Sequence, residues 1–336
     1  MNIKLLFTIL FTSCCFNNFS AIAQAAKIIF DTDMESDVDD IGALAMLHSL
    51  ADNGEAEILG TMVSSLNPWS VPTVDVINTY FQRADIPIGA VKTLGVYRNS
   101  RFAKIISEEF PQNIGLGEDA PDAVALYREI LNRQPDKSVV IVTVGYLSNL
   151  SNLLKSTPDD ISSLTGVELV DQKVKHVVIM GGRYPYSQDP AKWGNFKPDP
   201  DATTYVAKNW PTTIIFTGGG DFSRLFPTGK KTLNFEATSN PVSRAYQIYL
   251  EGRGETRHSA DLIAVYVAVR GWEDFFKINT QGYNHIFEDG TLMWRLQPDN
   301  PRHQYINYLK DEVSPEQVTE VFDNLIIQSI PSKATD

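Results

Sequence analysis

A dense group of carboxylates lies near the start of the chain, between residues 31 and 40. Five aspartates and one glutamate fall within this stretch, which reads DTDMESDVDD. So many negative charges in one loop repel one another unless a cation binds among them. Carboxylate oxygens suit Ca²⁺ or Mg²⁺ better than Zn²⁺. The segment therefore indicates a site for a hard divalent cation.

A helix N-terminus explains only part of this group. Acids in the first turn of a helix interact favourably with the helix dipole, by about 0.3 to 1 kcal/mol each. Asp39 and Asp40 fit that explanation, because helical spacing begins at Asp40. Asp31 and Asp33 precede the helix, at the end of an apolar run that is typical of a strand. Their position favours metal binding.

The spacing also argues against other acidic loops. An EF-hand loop needs glycine at its sixth position and an acid at its twelfth, where counting from Asp31 gives Ser36 and Gly42. A haloacid-dehalogenase-type phosphatase has Asp-x-Asp-x-Thr/Val, whereas Glu35 occupies the fifth position here. A Walker loop is absent from the sequence. A divalent-metal phosphohydrolase thus remains a weaker alternative.

Short apolar runs alternate with amphipathic segments after the first 25 residues. The runs predict strands at 27–30, 57–63, 138–144, 176–180 and 212–216. The amphipathic segments predict helices at 40–50, 73–83, 147–154 and 315–328. This alternation predicts an α/β fold with a mostly parallel central sheet and helices on both faces. Residues 288–312 are polar, and we expect an irregular stretch there with a small β excursion.

Polar clusters follow four of the predicted strands directly. They occupy residues 31–40, 64–67, 145–149 and 181–183. Ligands of parallel sheets bind beyond the carboxyl ends of the strands. The sequence therefore predicts that these four clusters meet at one mouth.

These segments resemble the inosine-uridine preferring nucleoside hydrolase family. The family signature is Asp-x-Asp-Pro-Gly-x-Asp-Asp before an Ala/Leu helix; here it carries a two-residue insertion, with Glu35 where glycine is usual. Four later segments match the family in the same order. They are residues 64–67, 144–149, 179–202 and 259–265. The chain thus resembles a divergent, secreted member of the family, of the nucleoside hydrolase-like, Rossmann-like open-sheet fold, over its whole mature length.

The resemblance implies Ca²⁺-dependent hydrolysis of the N-glycosidic bond of ribonucleosides or a related N-riboside. It implies that Asp33 is the general base, activating a metal-bound water. The implied calcium ligands are Asp33, Asp40, Asp261 and the backbone carbonyl of Val144. The residues implied to hold the sugar are Asp39, Asn67 and Asn195. Because of the insertion, Asp37 is a rival to Asp39 for binding a ribose hydroxyl.

The sequence departs from the family at the positions that the resemblance implies assist departure of the base. Ala260 stands where the family has the histidine that serves as the general acid. Trp193 stands where the family has a glutamate. Either another group serves as the acid, with His258 and Arg257 nearest in sequence, or the protein is a catalytically impaired nucleoside- or sugar-binding protein on the same scaffold. Trp193 is expected either to stack on the base or sugar or to pack in the interior.

The first 25 residues predict a signal peptide rather than part of the fold. Lys4 precedes a short apolar run, and Ala-x-Ala cleavage sites lie at residues 21–23 and 23–25. The run is much shorter than the ~20 residues that span a bilayer, so we expect no stable membrane span. The prediction is a single domain over 26–336, secreted or periplasmic. A faint lipobox ending at Cys14 leaves a lipid anchor as a minor alternative.

The charge of the chain bears on its partners. The formal net charge is −12 at pH 7, which argues against a nucleic-acid partner. The expected partner is a small nucleoside or riboside, and homo-oligomers, which the family often forms, are possible.

Overall fold

A computed structural model describes residues 24–93, 95–185, 190 and 192–328. Residues 1–23, which hold most of the predicted signal peptide and Cys14, lie outside this range. The first strand begins at Ala26, directly after the predicted cleavage position. Over the described ranges, no helix is both long and apolar enough to cross a membrane.

The centre of the molecule is an eight-stranded sheet. In spatial order its strands are β3 (Ile88–Ala90), β2 (Ala56–Val63), β1 (Ala26–Thr32), β4 (Val139–Thr143), β5 (Val174–Met180), β6 (Thr213–Thr217), β12 (His303–Leu309) and β9 (Phe276–Asn279). All neighbouring strands are parallel except β9, which pairs antiparallel with β12. The predicted mostly parallel sheet is confirmed.

Two short antiparallel pairs lie outside this sheet. They are β7 (Pro227–Thr228) with β8 (Arg257–His258), and β10 (Tyr283–Ile286) with β11 (Leu292–Arg295). The β7–β8 pair matters for function, because it fixes the segment just before a helix that enters the site.

Helices cover both faces of the sheet. They are α1 (Asp39–Asp52), α2 (Ser70–Tyr80), α3 (Ala103–Glu109), α4 (Ala123–Asn132), α5 (Ser148–Lys155), α6 (Gly166–Lys173), α7 (Pro200–Asn209), α8 (Pro241–Leu250), α9 (Ala260–Arg270) and α10 (Pro315–Gln328). Successive residues of β1 point to opposite faces, so Ile28 and Phe30 pack with α1 and α9 while Ile29 packs on the side of α4 to α7. Each face is therefore a closed hydrophobic layer, as the apolar runs predicted.

The expectation for residues 288–312 was wrong in one respect. This stretch contains β11, but it also contains β12, a full strand of the central sheet. The sequence of β12, HQYINYL, mixes polar and apolar residues, and the strand, which lies next to the edge strand β9, is only partly buried. A continuous apolar run, the signal that identified the inner strands, is therefore missing there.

Candidate active site

The predicted metal ligands come together at the carboxyl edge of the sheet. Asp33 follows β1, Asp40 lies in the first turn of α1, and Asp261 lies in the first turn of α9. All three line one cavity of about 670 Å³ and are almost completely buried, with exposed fractions of 6%, 2% and 2%. Residues more than 200 positions apart thus share one site, which no local sequence pattern could guarantee.

A glycine allows the next strand to approach this group. A Cβ placed on Gly145 would lie only 2.4 Å from the backbone nitrogen of Asp33, so no larger residue fits there. This close approach brings Val144, which precedes Gly145, to the cavity wall. The side-chain amide of Asn195 donates a hydrogen bond to the Val144 carbonyl. Both residues, predicted to bind metal and sugar respectively, therefore lie at the cavity.

Burial and mutual repulsion change the proton affinity of these acids. Burial, and next the charge of Asp39, raise the pKa of Asp40 to about 8, although Thr32 donates a hydrogen bond to its carboxylate. Burial also raises the pKa values of Asp33 and Asp261 well above their ordinary value, with the neighbouring carboxylates as the next cause. Without a cation, Asp40 therefore holds a proton at neutral pH, and a divalent cation would displace it.

The donor chemistry fits Ca²⁺. The candidate ligands are carboxylate and carbonyl oxygens, and Oδ1 of Asp261 is buried without a hydrogen-bond partner among the described residues. Within the same ranges, no three His, Cys, Asp or Glu side chains form a ready-made metal cluster. The fit therefore depends on the oxygen donors and on this unpartnered atom, not on preformed coordination geometry.

Arg257 forms ion pairs with Asp37 and Asp39, the two candidates for binding a ribose hydroxyl. Its Nη2 lies 2.8 Å from Oδ2 of Asp37, and its Nε donates to Oδ1 of Asp39 at 3.1 Å. Tyr249 donates to the other oxygen of Asp37 at 3.0 Å. Both oxygens of Asp37 are therefore occupied, whereas Asp39 is engaged through one oxygen only. Arg257 serves here as an ion-pair partner of two carboxylates rather than as an acid near the leaving group.

Glu35, which stands in place of the signature glycine, anchors the inserted loop. Its fully buried carboxylate accepts hydrogen bonds from the Ser65 hydroxyl, from the backbone N–H of Arg98 at 2.8 Å and from the Tyr146 hydroxyl at 2.9 Å. Met34, beside it, adopts a left-handed conformation with φ of 48°. Sequence reasoning counted Glu35 only as one more acid of the cluster, because its partners come from three distant segments.

We expect Glu35→Ala to destabilise the protein by about 3 kcal/mol, because three donors lose a charged acceptor and hydrogen bonds to charged groups contribute about 1.5 to 3 kcal/mol each. Urea-induced unfolding would measure the loss. Glu57→Ala is the matched control, since the side chain of Glu57 is 55% exposed and forms one loose ion pair at 3.8 Å with Lys27. Equal losses in the two variants would contradict the anchoring role.

Asn67, which the resemblance implies to hold the sugar, lies beside the main cavity. Its side-chain amide donates to the carbonyl of Arg98 at 2.9 Å, and its side-chain oxygen accepts from the backbone N–H of Trp69 at 3.1 Å. Asn67 is not among the described residues lining the main cavity; it borders a smaller neighbouring one. Its hydrogen bonds order the loop after β2.

The four polar clusters do not all reach one mouth. Residues 31–40 and 181–183 contribute side chains to the cavity lining. Residues 64–67 and 145–149 are not among the described lining residues and pack behind them. Asn149 and Tyr127, for example, donate to Oδ2 of Asp31, whose pKa burial raises to about 7. Asp31 is buried on the other side of β1 from the candidate metal ligands, and so it is a structural carboxyl group.

The remaining predicted residues line the cavity wall. Trp193 packs its indole ring against Gly219, and His258 lies in β8 beside Arg257. Burial is the main cause that lowers the pKa of His258 below its ordinary value, so its neutral form predominates at pH 7. Four cationic residues of the lining were not predicted as site residues: Arg98, Arg183, Lys192 and Arg224. Arg183 alone carried a signal in the sequence, as the last residue of a polar cluster at a strand end.

Comparison with known families decides what kind of site this is. The family model described as inosine-uridine preferring nucleoside hydrolase matches residues 28–306, which is most of the chain. The chain belongs to this nucleoside hydrolase family. It is therefore a hydrolase that acts on nucleosides, from a metal-dependent family, and hydrolysis of nucleosides is favoured over the phosphohydrolase alternative.

Solved nucleoside hydrolases and a solved type III effector share the fold. A plant nucleoside hydrolase is 17% identical with a TM-score of 0.66, covering 90% of this chain and 98% of its own. A purine-preferring ribonucleoside hydrolase from Gardnerella vaginalis is 16% identical with a TM-score of 0.65, covering 90% and 99%. The type III effector XopQ, solved with adenosine diphosphate ribose, is 13% identical with a TM-score of 0.66, covering 92% and 95%. No curated protein sequence matches significantly.

Proposed function

We propose that this nucleoside hydrolase cleaves the N-glycosidic bond of a riboside with water, in a Ca²⁺-dependent reaction. The observation that carries the proposal is the convergence of Asp33, Asp40 and Asp261 on one cavity from three separate elements. When bound there, Ca²⁺ would favour the ionised carboxylates, lower the pKa of a water molecule and bind the ribose 2′- and 3′-hydroxyls. The carbonyl of Val144 would complete the protein ligands.

Asp33 takes the proton from the attacking water. It is the acid of the group that follows β1 directly, so its backbone is fixed by the sheet and by the close approach of Gly145. Burial and the nearby carboxylates raise its pKa, which makes its ionised form a stronger base. The carboxylate cluster also stabilises the positive charge that develops on the ribose in an oxocarbenium-like transition state.

Asp39 and Asn195 position the ribose. We favour Asp39 over Asp37 as the acceptor from a ribose hydroxyl, because one carboxylate oxygen of Asp39 has no hydrogen-bond partner among the described residues. Both oxygens of Asp37 are already bonded, to Arg257 and Tyr249. Asn195 uses its NH₂ group on the Val144 carbonyl, which leaves its side-chain oxygen for the substrate.

His258 and Trp193 face the leaving group in this proposal. Ala260 has no proton to give. Apart from Asp261, which this proposal makes a metal ligand, His258 is the titratable residue nearest to it in sequence among the described residues that line the cavity. Because burial lowers the pKa of His258, a more acidic solution is needed to protonate it, and proton donation to the base strengthens as the pH falls. Trp193 offers an aromatic ring for a base to stack on.

A second candidate is ligand binding without turnover. The observation in its favour is the combination of Ala260 with a mostly neutral His258, since both weaken proton donation to a leaving base. The structure of XopQ was solved with adenosine diphosphate ribose, a riboside, on the same fold. On this candidate the cavity would hold a riboside and release no base.

Incubation with a panel of purine and pyrimidine nucleosides in Ca²⁺ separates the two candidates. We expect free base to appear, detected by chromatography, together with one equivalent of ribose as a reducing sugar. Thermal stabilisation by nucleosides without base release would instead support the binding protein. If nucleosides neither release base nor stabilise the protein against thermal unfolding, hydrolysis and riboside binding are both wrong.

We also propose that the chain is exported and cleaved after Ala25, giving a secreted or periplasmic protein. The position of Ala26 as the first residue of β1 supports this, because cleavage there leaves the sheet intact. Mass spectrometry of the protein from a secreting host would identify the mature N-terminus, and a lipid-modified cysteine would contradict this cleavage site.

A further inference from the structure

The mouth of the active-site cavity carries cations that a neutral nucleoside does not require. Five lysine or arginine residues line the cavity, although the whole chain has a formal net charge of −12. They are Arg98, Arg183, Lys192, Arg224 and Arg257. The first four are exposed at the cavity entrance, and we call them the rim cations.

Ion pairs engage few of the cations that line the cavity. Arg257, which is not a rim cation, pairs with Asp37 and Asp39. Arg224 pairs with the exposed Asp221 at 2.9 Å. Among the described residues, the other three rim cations form no ion pair with a carboxylate. Arg183 and Lys192 are therefore the rim cations that the described carboxylates leave unpaired, whereas the charge of Arg98 also acts on Asp33 and Glu35.

These three side chains come from two separate segments and face one opening. Arg98 donates to the carbonyl of Gly194 at 3.3 Å, and its charge lowers the pKa of Asp33. Arg183 follows β5 and lies against the turn after β6, where a Cβ on Gly220 would be 2.9 Å from its Nε. Lys192 adjoins Trp193 in the loop between β5 and α7. Folding thus brings cations from separate parts of the sequence to one cavity opening.

A bound anion would account for this concentration of positive charge at the cavity mouth. Like charges that converge on one cavity repel one another, and that cost is offset when an anion binds between them. Arginine and lysine are the side chains that bind phosphate most strongly, arginine through paired N–H donors. The divalent cation of the proposed function, together with Arg257, would offset three of the five negative charges of the aspartates that are described in the cavity lining.

We infer that the substrate is a riboside that carries a phosphate group at its 5′ position. The inference rests on the proposed function, which places the 2′- and 3′-hydroxyls and C1′ at the floor and leaves the 5′ substituent to reach the rim. The bond that breaks is still the C1′–N bond. The hydroxyl of water goes to C1′, a proton goes to the base, and the phosphate ester stays intact.

Binding of sugars that lack a base tests this inference without requiring turnover. Calorimetric titration of the wild-type protein in Ca²⁺ would compare ribose, ribose 5-phosphate and inorganic phosphate. We expect ribose 5-phosphate to bind at least about tenfold more tightly than ribose, as a charge-assisted contact provides. In the double variant Arg183→Gln with Lys192→Gln, the difference should shrink below about threefold. A double variant of exposed cations outside the cavity, Arg133→Gln with Lys175→Gln, should retain it.

Equal affinity for ribose and ribose 5-phosphate would overturn the inference, as would undetectable binding of ribose 5-phosphate or an unchanged ratio in the rim variant. Base release from a nucleoside and from its 5′-monophosphate distinguishes this failure from failure of the proposed function. If neither substrate releases base while ribose 5-phosphate binds through the rim, hydrolysis is wrong and the rim assignment holds. If both release base with equal kcat/KM and binding shows no preference, hydrolysis holds and the rim assignment is wrong.

Discussion

Replacing Asp33 with asparagine is expected to lower kcat for base release by about 10²- to 10⁴-fold, the range that a positioned general base contributes. Asparagine keeps the shape of the side chain but cannot take a proton from water. The effect should be large because the carboxylate of Asp33 is buried and lines the cavity, whereas Asp31 at the end of the same strand is bonded to Tyr127 and Asn149. Steady-state kinetics at saturating Ca²⁺ would measure it.

Two controls accompany this measurement. Asp311→Asn removes an aspartate that is 92% exposed and pairs with Lys277 outside the cavity, so its kcat should match that of the wild type. Thermal unfolding of Asp33→Asn should show a folded protein, because the substitution removes charge repulsion from Asp40 and Glu35. A kcat within about threefold of the wild type would reject Asp33 as the base, since that lies far below the expected contribution.

Removal of Ca²⁺ by a chelator is expected to abolish turnover, and re-addition of Ca²⁺ should restore it. The same cation should stabilise the fold by about 2.7 kcal/mol when present at 100 times its dissociation constant. Calorimetric scans with and without Ca²⁺ would measure the stabilisation, and base release would measure the activity. Turnover that persists in excess chelator would reject the metal dependence.

The stabilisation by Ca²⁺ should grow as the pH rises from 5 to 8. In the metal-free fold the pKa of Asp40 is raised to about 8, and those of Asp33 and Asp261 are raised well above the ordinary value of 3.8. A raised carboxyl pKa gives stability at low pH that is lost as the pH rises through the folded pKa. Ca²⁺ binds the ionised forms, so it competes with protons less at pH 8 than at pH 5.

Asp261→Asn should flatten this pH dependence, because one of the titrating ligands no longer binds protons. An exposed aspartate provides the control, and Asp311→Asn should leave the dependence unchanged. An increase in Tm that is the same at pH 5 and pH 8 would contradict the assignment of these carboxylates as ligands.

Local sequence patterns were sufficient for the inner elements of the fold. The continuous apolar runs of β1, β4 and β5 predicted strands because strands with both faces covered must be apolar throughout. The final helix, α10, was predicted at the residues where it lies, since its apolar positions recur with helical spacing. The strand near the sheet edge, β12, was missed because only part of it is buried.

The sequence by itself determined the family, the parallel sheet and the acidic group at the end of β1, because local periodicity and the order of short motifs carry that information. Tertiary structure alone decided which groups face the cavity. Glu35 and Asn67 form hydrogen bonds that order the loops beside the cavity. Arg257 pairs with Asp37 and Asp39. The rim cations lie together at the entrance of the cavity. The direction in which a loop side chain points depends on partners tens to hundreds of residues away. A carboxylate or a guanidinium therefore becomes a ligand, an anchor or a charge at the entrance only when the folded chain supplies those partners.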